Sequence, residues 1–123
     1  MSNSAEIATL RDEMRRELTD HLLPFWYEHA TDEERGGFIG QMTTDNRVVP
    51  EAKKGVVLNT RILWTFAAVY RRLEDDAARR LAERARHYLN EHFWDEEYGG
   101  VYWMLETDGT PAEPRKQIYA QAV

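Results

Sequence analysis

The sequence contains no cysteine among its 123 residues. This absence excludes disulfides, thiolate nucleophiles and thiolate metal sites. No stretch approaches the roughly 18 consecutive apolar residues of a membrane-spanning helix. Residues 1–16 are polar and mixed in charge, without the apolar segment of a secretory signal. We therefore expect a cytoplasmic protein with no membrane partner.

The chain also lacks an excess of positive charge. It has 16 basic and 22 acidic residues, which give a net charge of −6. A nucleic-acid partner would require a basic patch. No His/Asp cluster with metal-ligand spacing, phosphate-binding glycine loop or nucleophile elbow is present. The sequence therefore predicts no nucleic-acid partner, no metal and no cofactor.

One ten-residue pattern occurs twice. Glu28–Gly37 reads E-H-A-T-D-E-E-R-G-G and Glu91–Gly100 reads E-H-F-W-D-E-E-Y-G-G, with seven identical letters and an offset of 91 − 28 = 63 residues. The same offset relates Thr44-Asp45 to Thr107-Asp108, and Lys53 to Lys116. A repeat at fixed spacing indicates structural units of one kind. We expect about two such units.

Apolar residues recur every three or four positions in three segments, which predicts three helices. The first runs from Ser4, its expected cap, to about Glu28, with a kink or an end near Pro24 because proline lacks a backbone N–H. The second covers Gly55–Leu73. The third follows an N-cap at Asp75 or Asp76 and continues to about His92.

Each Gly-Gly pair precedes a segment with extended character. Thr31–Pro50 predicts a short β-hairpin or an extended loop, and V-Y-W-M-L after the second pair predicts a strand followed by a T-D-G-T-P turn. Arg115–Val123 begins a further apolar helix. An apolar inner helix, a charged outer helix and a Gly-Gly hairpin fit an α/α solenoid or, better, a closed α/α toroid.

Six such units would need about 380 residues. The expected fold class is therefore all-α, with residues 1–123 forming the N-terminal portion of one (α/α)6 barrel domain of about two helical hairpins with short β-hairpins. The chain is then a piece of a larger enzyme, or a shortened homologue that self-associates through an open inner face.

Four residues are candidates for ligand contact. Arg61 lies on an otherwise apolar helix, where it either pairs with a carboxylate or binds a sugar oxygen and stabilises developing negative charge. Asn59 is either a packing amide or a ligand, and Tyr119 is either a substrate contact or a core tyrosine. Trp64 either stacks on a sugar ring or packs in the core.

The repeated His and Asp-Glu-Glu residues are assigned to the scaffold. His29 and His92 occupy equivalent positions at helix ends, where the helix dipole favours a cation. The two D-E-E triplets could supply the paired carboxylates of a glycosidase, but their duplication before a turn favours solvated loop ends.

Three motifs carry a family resemblance: K-K-G-V-V-L-N-T-R-I-L-W from Lys53, D-E-E-Y-G-G-V-Y-W from Asp95 and R-K-Q-I-Y-A-Q-A from Arg115. Together they resemble the N-terminal third of cellobiose 2-epimerases, within the wider N-acylglucosamine 2-epimerase family. The resemblance covers about Leu10 to Val123. It implies an (α/α)6 barrel acting on a disaccharide or monosaccharide without metal or nucleotide.

The resemblance also implies a reaction. A proton leaves C2 beside the open-chain aldehyde, a cis-enediolate forms, and reprotonation on the opposite face converts the reducing-end glucose of a β-1,4-disaccharide to mannose. Arg61 would be the catalytic arginine that stabilises the enediolate, and Tyr119 a substrate contact. The family's acid/base histidines match none of His21, His29, His87 and His92, so the chain alone is expected to be inactive. The alternatives are a mannose isomerase, an unsaturated-glycan hydrolase and a non-catalytic helical remnant that oligomerises.

Overall fold

The chain begins with one long helical segment. In the computed structural model, which describes residues 2–123, helix α1 spans Ser2–Glu17, a π-helical turn spans Leu18–Leu22 and α2 spans Leu23–His29. In the π-helical turn the Leu23 N–H donates to the Leu18 carbonyl, five residues back.

One detail of the predicted first helix is wrong: Ser4 is not its cap, because the helix already includes Ser4. A kink or an end was predicted near Pro24, and the α-helix is interrupted there by the π-helical turn. Pro24 itself lies in the first turn of α2, where a missing N–H is tolerated. This segment belongs to a compact unit that ends at Ala30, and Thr31–Val123 form a second unit.

The second unit is built on a helical hairpin. Helix α3 covers Val56–Leu73 with Gly55 at its N-cap, and α4 covers Asp76–Tyr88 before a second π-helical turn, Leu89–Phe93. Asp75 caps α4 by accepting a hydrogen bond from the Ala77 N–H at 2.9 Å. Both helices were predicted, and of the two predicted N-cap candidates, Asp75 and Asp76, the structure uses Asp75.

The 63-residue repeat is visible in the backbone pairing. Antiparallel bridges join Thr31 to Phe38 and Met42 to Val48. The second copy has the same bridges, between Trp94 and Val101 and between Leu105 and Pro111. The predicted short hairpins are therefore present in both copies.

A small sheet connects the entry of α3 to the second hairpin. Strands β1 (Lys54–Gly55), β2 (Met104–Leu105) and β3 (Pro111–Glu113) pair antiparallel in that order. The pairing of β1 with β2 was not predicted, because two-residue strands have no readable periodicity.

The core lies where α3, the hairpin and the last helix, α5 (Ile118–Ala122), meet. Its buried side chains are Val56, Tyr88, Phe93, Leu105 and Ala120. Val56 and Ala120 bring the beginnings of α3 and α5 into one cluster. Within residues 2–123 no helix has the length and apolarity needed to cross a membrane.

Candidate functional site

Two of the candidate residues, which are 58 positions apart in the chain, are in contact. The Nη2 of Arg61 donates a hydrogen bond to the hydroxyl of Tyr119 at 3.1 Å. Arg61 lies in the second turn of α3, and Tyr119 is the second residue of α5. The shared core at the beginnings of these helices accounts for the approach of the two side chains.

The environment of this pair is open. Arg61 is exposed and Tyr119 is 55% exposed, and no carboxylate among residues 2–123 forms an ion pair with Arg61. The alternative in which Arg61 pairs with a carboxylate is therefore absent from the described chain. One guanidinium nitrogen binds the tyrosine oxygen, which leaves other N–H groups free to bind an oxygen-rich ligand.

Trp64 lies three residues after Arg61, on the same side of α3. Its side chain is 71% exposed, which does not fit the alternative of core packing within the described chain. An exposed indole one helical turn from an arginine provides a flat apolar surface next to a polar group. Its role in stacking stays a prediction.

Asn59 has a different environment from the other three candidates. It is 1% exposed, and its Nδ2 donates to the Gly55 carbonyl at 2.8 Å. This geometry agrees with a packing amide in the first turn of α3. Its Oδ1 is buried without a hydrogen-bond partner among the described residues. A direct contact between Asn59 and a ligand stays a prediction.

Each copy of the repeat contains a lysine clamp, defined as an aspartate, a lysine and a glycine carbonyl joined by hydrogen bonds. In the first clamp, the Lys54 Nζ donates to Asp32 Oδ2 at 2.9 Å and to the Gly36 carbonyl at 2.6 Å. In the second, the Lys116 Nζ donates to Asp95 Oδ2 at 2.7 Å and to the Gly99 carbonyl at 2.8 Å.

Both clamp aspartates are also bound by their own loops. The Oδ1 of Asp95 accepts hydrogen bonds from the backbone N–H groups of Glu97 and Tyr98. The hydrogen bond from Lys116 is the main cause that lowers the pKa of Asp95 to about 2. Burial tends to raise the pKa of Asp32, but the bonds from Lys54 and from the loop backbone outweigh it, so that pKa lies below its usual value.

The clamps correct two interpretations of the sequence. Lys116 corresponds structurally to Lys54 and not to Lys53, because the first copy has one extra residue before its lysine. The D-E-E triplets are not solvated throughout, since Asp95 is buried and Asp32 is half-buried. The sequence contained a signal for the clamps, because each triplet begins with an aspartate and a lysine precedes each following helix.

Arg84 reinforces the first loop from α4. Its Nε donates to the Gly37 carbonyl and its Nη2 to the Asp32 carbonyl, at 2.8 and 2.9 Å. The predicted charged outer helix is therefore not solvated at every charged position, since Arg84 is half-buried. Nothing in helical periodicity distinguishes it from the exposed arginines Arg79, Arg80 and Arg86.

The four histidines contact side chains other than Arg61 and Tyr119. His29 stacks on Phe25 with ring centroids 4.7 Å apart, and His92 stacks on Tyr88 at 4.4 Å. His21 and His87 face glutamates one helical turn away, each at 2.9 Å. The equivalent stacking of His29 and His92 agrees with a scaffold role. No group of three His, Asp or Glu side chains suited to a metal occurs within residues 2–123.

Paired helices, a repeated Gly-Gly hairpin and an exposed arginine–tyrosine pair define a helical-repeat protein of the α/α barrel class, as predicted. The model of one protein family, N-acylglucosamine 2-epimerase, matches residues 37–123, which is most of the chain. The chain belongs to this family.

Known relatives agree with that assignment. The chain is 49% identical to a cellobiose 2-epimerase from Bacteroides fragilis over 111 residues, which cover 90% of the chain and 28% of the relative. The solved cellobiose 2-epimerase from Bacillus thermoamylovorans is 41% identical, with a TM-score of 0.88, over 94% of the chain and 29% of that structure. A D-mannose isomerase structure is 25% identical, with a TM-score of 0.70, over 80% of the chain and 24% of that structure. The chain thus spans little more than a quarter of the length of the epimerases that it matches.

Proposed function

We propose that this chain forms part of the sugar-binding wall of a cytoplasmic carbohydrate 2-epimerase whose substrate is a β-1,4-linked disaccharide such as cellobiose. Family membership and the cellobiose 2-epimerase relatives support the reaction class. The observation that carries the proposed site is the 3.1 Å hydrogen bond between Arg61 and Tyr119. It joins the two residues that the motifs single out and leaves both of them accessible.

In the proposed reaction, a base removes the proton from C2 of the open-chain sugar. The electron pair of the C–H bond forms the C1–C2 double bond, and negative charge develops on the C1 oxygen. Arg61 donates N–H groups to that oxygen, which stabilises the enediolate. Tyr119 accepts from Arg61 and can donate its own proton to a sugar hydroxyl. Return of a proton to the opposite face of C2 yields the epimer.

The two histidines of the family's acid/base pair have no counterpart here. Each of the four histidines present contacts a glutamate or an aromatic ring, and none contacts Arg61 or Tyr119. This chain therefore contributes binding and charge stabilisation, and proton transfer is assigned to residues of a complete barrel.

The test is a chimera in which this chain replaces the matching segment of the Bacteroides fragilis cellobiose 2-epimerase. We expect the chimera to convert cellobiose to its mannose-ended epimer. Arg61→Met should lower kcat by about 10²- to 10³-fold, the usual effect of removing a donor to a developing oxyanion. Product is quantified by chromatography.

Arg80→Met is the matched control, because Arg80 is an exposed arginine on α4. It should leave kcat unchanged. The site assignment is contradicted if Arg61→Met and Arg80→Met chimeras are equally active. Supplying mannose instead of cellobiose distinguishes the isomerase alternative, since an isomerase produces a ketose.

A second candidate function is self-association without catalysis. The observation that favours it is the exposure of large apolar side chains on α3 and α5: Leu58, Trp64 and Ile118. Sedimentation of the purified 123-residue chain decides between the candidates. A folded monomer across the concentration range contradicts the self-association candidate.

A further inference from the structure

Helix α5 spans Ile118–Ala122 and buries little of its surface against the rest of the described chain. Only Ala120 is buried, while Ile118 is 88% exposed. Within the described chain, hydrogen bonds from the residues on either side of Tyr119 connect this helix to the rest of the second unit.

Two sets of contacts fix α5, one before and one after Tyr119. Before it, Lys116 is held by Asp95 and by the Gly99 carbonyl in the second clamp. After it, Gln121 binds both backbone groups of Val101, accepting from the N–H at 2.7 Å and donating to the carbonyl at 2.9 Å. Both sets connect α5 to the hairpin that follows the second Gly-Gly pair.

The second clamp is itself rigidly placed. Asp95 is nearly fully buried and is bound by two backbone N–H groups of its own loop. Lys116 also lies 5.5 Å from the ring centroid of Tyr102, a favourable cation–π distance. The lysine is therefore held by a carboxylate, a carbonyl and an aromatic ring, and three residues later the chain presents Tyr119 to Arg61.

The first clamp lies directly before α3, the helix that carries Arg61, just as the second clamp lies directly before α5. Lys54 is 1% exposed and immediately precedes Gly55, the N-cap of α3. Its ammonium group lies 5.5 Å from the ring centroid of Tyr88. The two clamps thus lie directly before the two helices that carry Arg61 and Tyr119.

We infer that Asp95 and Lys116 are positioning residues that hold the Tyr119 hydroxyl against the Arg61 guanidinium. The inference rests on the proposed function for the use of that contact in sugar binding. The hydrogen bonds and ion pairs of Asp95 and Lys116 go to each other and to the hairpin and not to Arg61 or Tyr119, so both act through the placement of α5. Breaking the clamp should uncouple Tyr119 from Arg61 while the rest of the second unit stays folded.

The experiment measures this coupling without sugar. The ring resonances of Tyr119 are observed by NMR in the 123-residue chain with labelled tyrosines and are identified through Tyr119→Phe. In the native background, Arg61→Lys should shift these resonances. In a Lys116→Met background the same change should produce no shift, because Tyr119 no longer lies against residue 61. Lys116→Arg should restore the shift, since it returns a cationic donor to Asp95.

Asp95→Asn is the second test variant, and it keeps the experiment decisive if Lys116→Met fails to fold. The asparagine oxygen still accepts from the loop N–H groups, but the charge that binds Lys116 is lost. Arg47→Met is the matched control, because Arg47 forms an ion pair with Asp45 at 2.7 Å on the first hairpin. The response of Tyr119 to Arg61→Lys should persist in that variant.

Three results would overturn the inference: no response of Tyr119 to Arg61→Lys in the native background, an undiminished response without the clamp, or an equal loss in Arg47→Met. Titration of the same labelled chain with cellobiose tests the proposed function separately. A Tyr119 signal that responds to Arg61→Lys and not to cellobiose counts against sugar binding and leaves the positioning role standing.

Discussion

At the scale of single residues, Gly37 packs closely against the ring of Tyr88. Gly37 has a φ of +66°, and a Cβ at this position would lie 2.7 Å from Cε2 of Tyr88. Burial of Tyr88, with the charges of Asp32 and Asp108, raises its pKa to about 12. The ring is therefore neutral, and it lies against Gly37 and His92.

Gly37→Ala should lower the free energy of unfolding by about 2–5 kcal/mol, the sum of left-handed backbone strain and overpacking. Gly36→Ala is the matched control. Its φ of +89° carries similar strain, but its Cβ would lie 3.9 Å from the same ring. Urea denaturation should show the larger loss for Gly37→Ala, and equal losses would disprove the close packing.

The importance of a residue could be predicted where its polarity differed from that of its neighbours in the sequence. Arg61 was conspicuous because it interrupts an apolar helix, and it does contact Tyr119. Asp95 was misjudged because a buried aspartate followed by two glutamates resembles a solvated acidic run. Its environment depends on Lys116, 21 residues away, and this separation cannot be recovered from helical or strand periodicity.

At the scale of elements, the helices were predictable and the sheet was not. Helices α3 and α4 extend over enough turns for their apolar spacing to be read. Strand β1 has only two residues, and its partner β2 begins 50 residues further along the chain. In the pairing, Lys54 lies opposite Leu105 and Gly55 lies opposite Met104. The repeat predicted equivalent hairpins but carried no information about the pairing between copies.

The clamp elements predict how stability responds to acid. The pKa of Asp95 is lowered from 3.8 to about 2 by folding. Asp95 therefore stabilises the fold at every pH above its pKa in the unfolded chain. That contribution is lost as the pH falls through about 4 towards about 2, because the folded chain then also binds the proton. Asp32, whose pKa is also lowered, acts in the same direction.

Urea unfolding across pH 2–6 checks this prediction. The native chain should lose stability steeply below about pH 4. Asp95→Asn should be less stable at pH 6 and should show a shallower decline in acid, because residue 95 no longer titrates. Glu96→Gln, at the exposed neighbouring position, should reproduce the native profile. A decline of native steepness in Asp95→Asn would assign the acid sensitivity to other carboxylates.

At the scale of the whole molecule, the proposed sugar site has residues of this chain on one side only. Arg61, Trp64 and Tyr119 are accessible from solvent, yet a sugar-binding pocket normally buries most of its ligand. The chain spans about 28% of the length of the Bacteroides fragilis relative. The proposed binding wall would therefore contact an oxygen-rich ligand without enclosing it.

The 123-residue chain incubated alone with cellobiose should therefore give no mannose-ended product by chromatography. General acid–base catalysis needs a titrating group within hydrogen-bond reach of the C2 proton, and the four histidines are engaged with Glu17, Phe25, Glu91 and Tyr88. The active chimera serves as the positive control under the same conditions. Turnover by the isolated chain, abolished by Arg61→Met, would mean that a base within these residues reaches C2 and that the proton-transfer pair is not confined to the rest of a barrel.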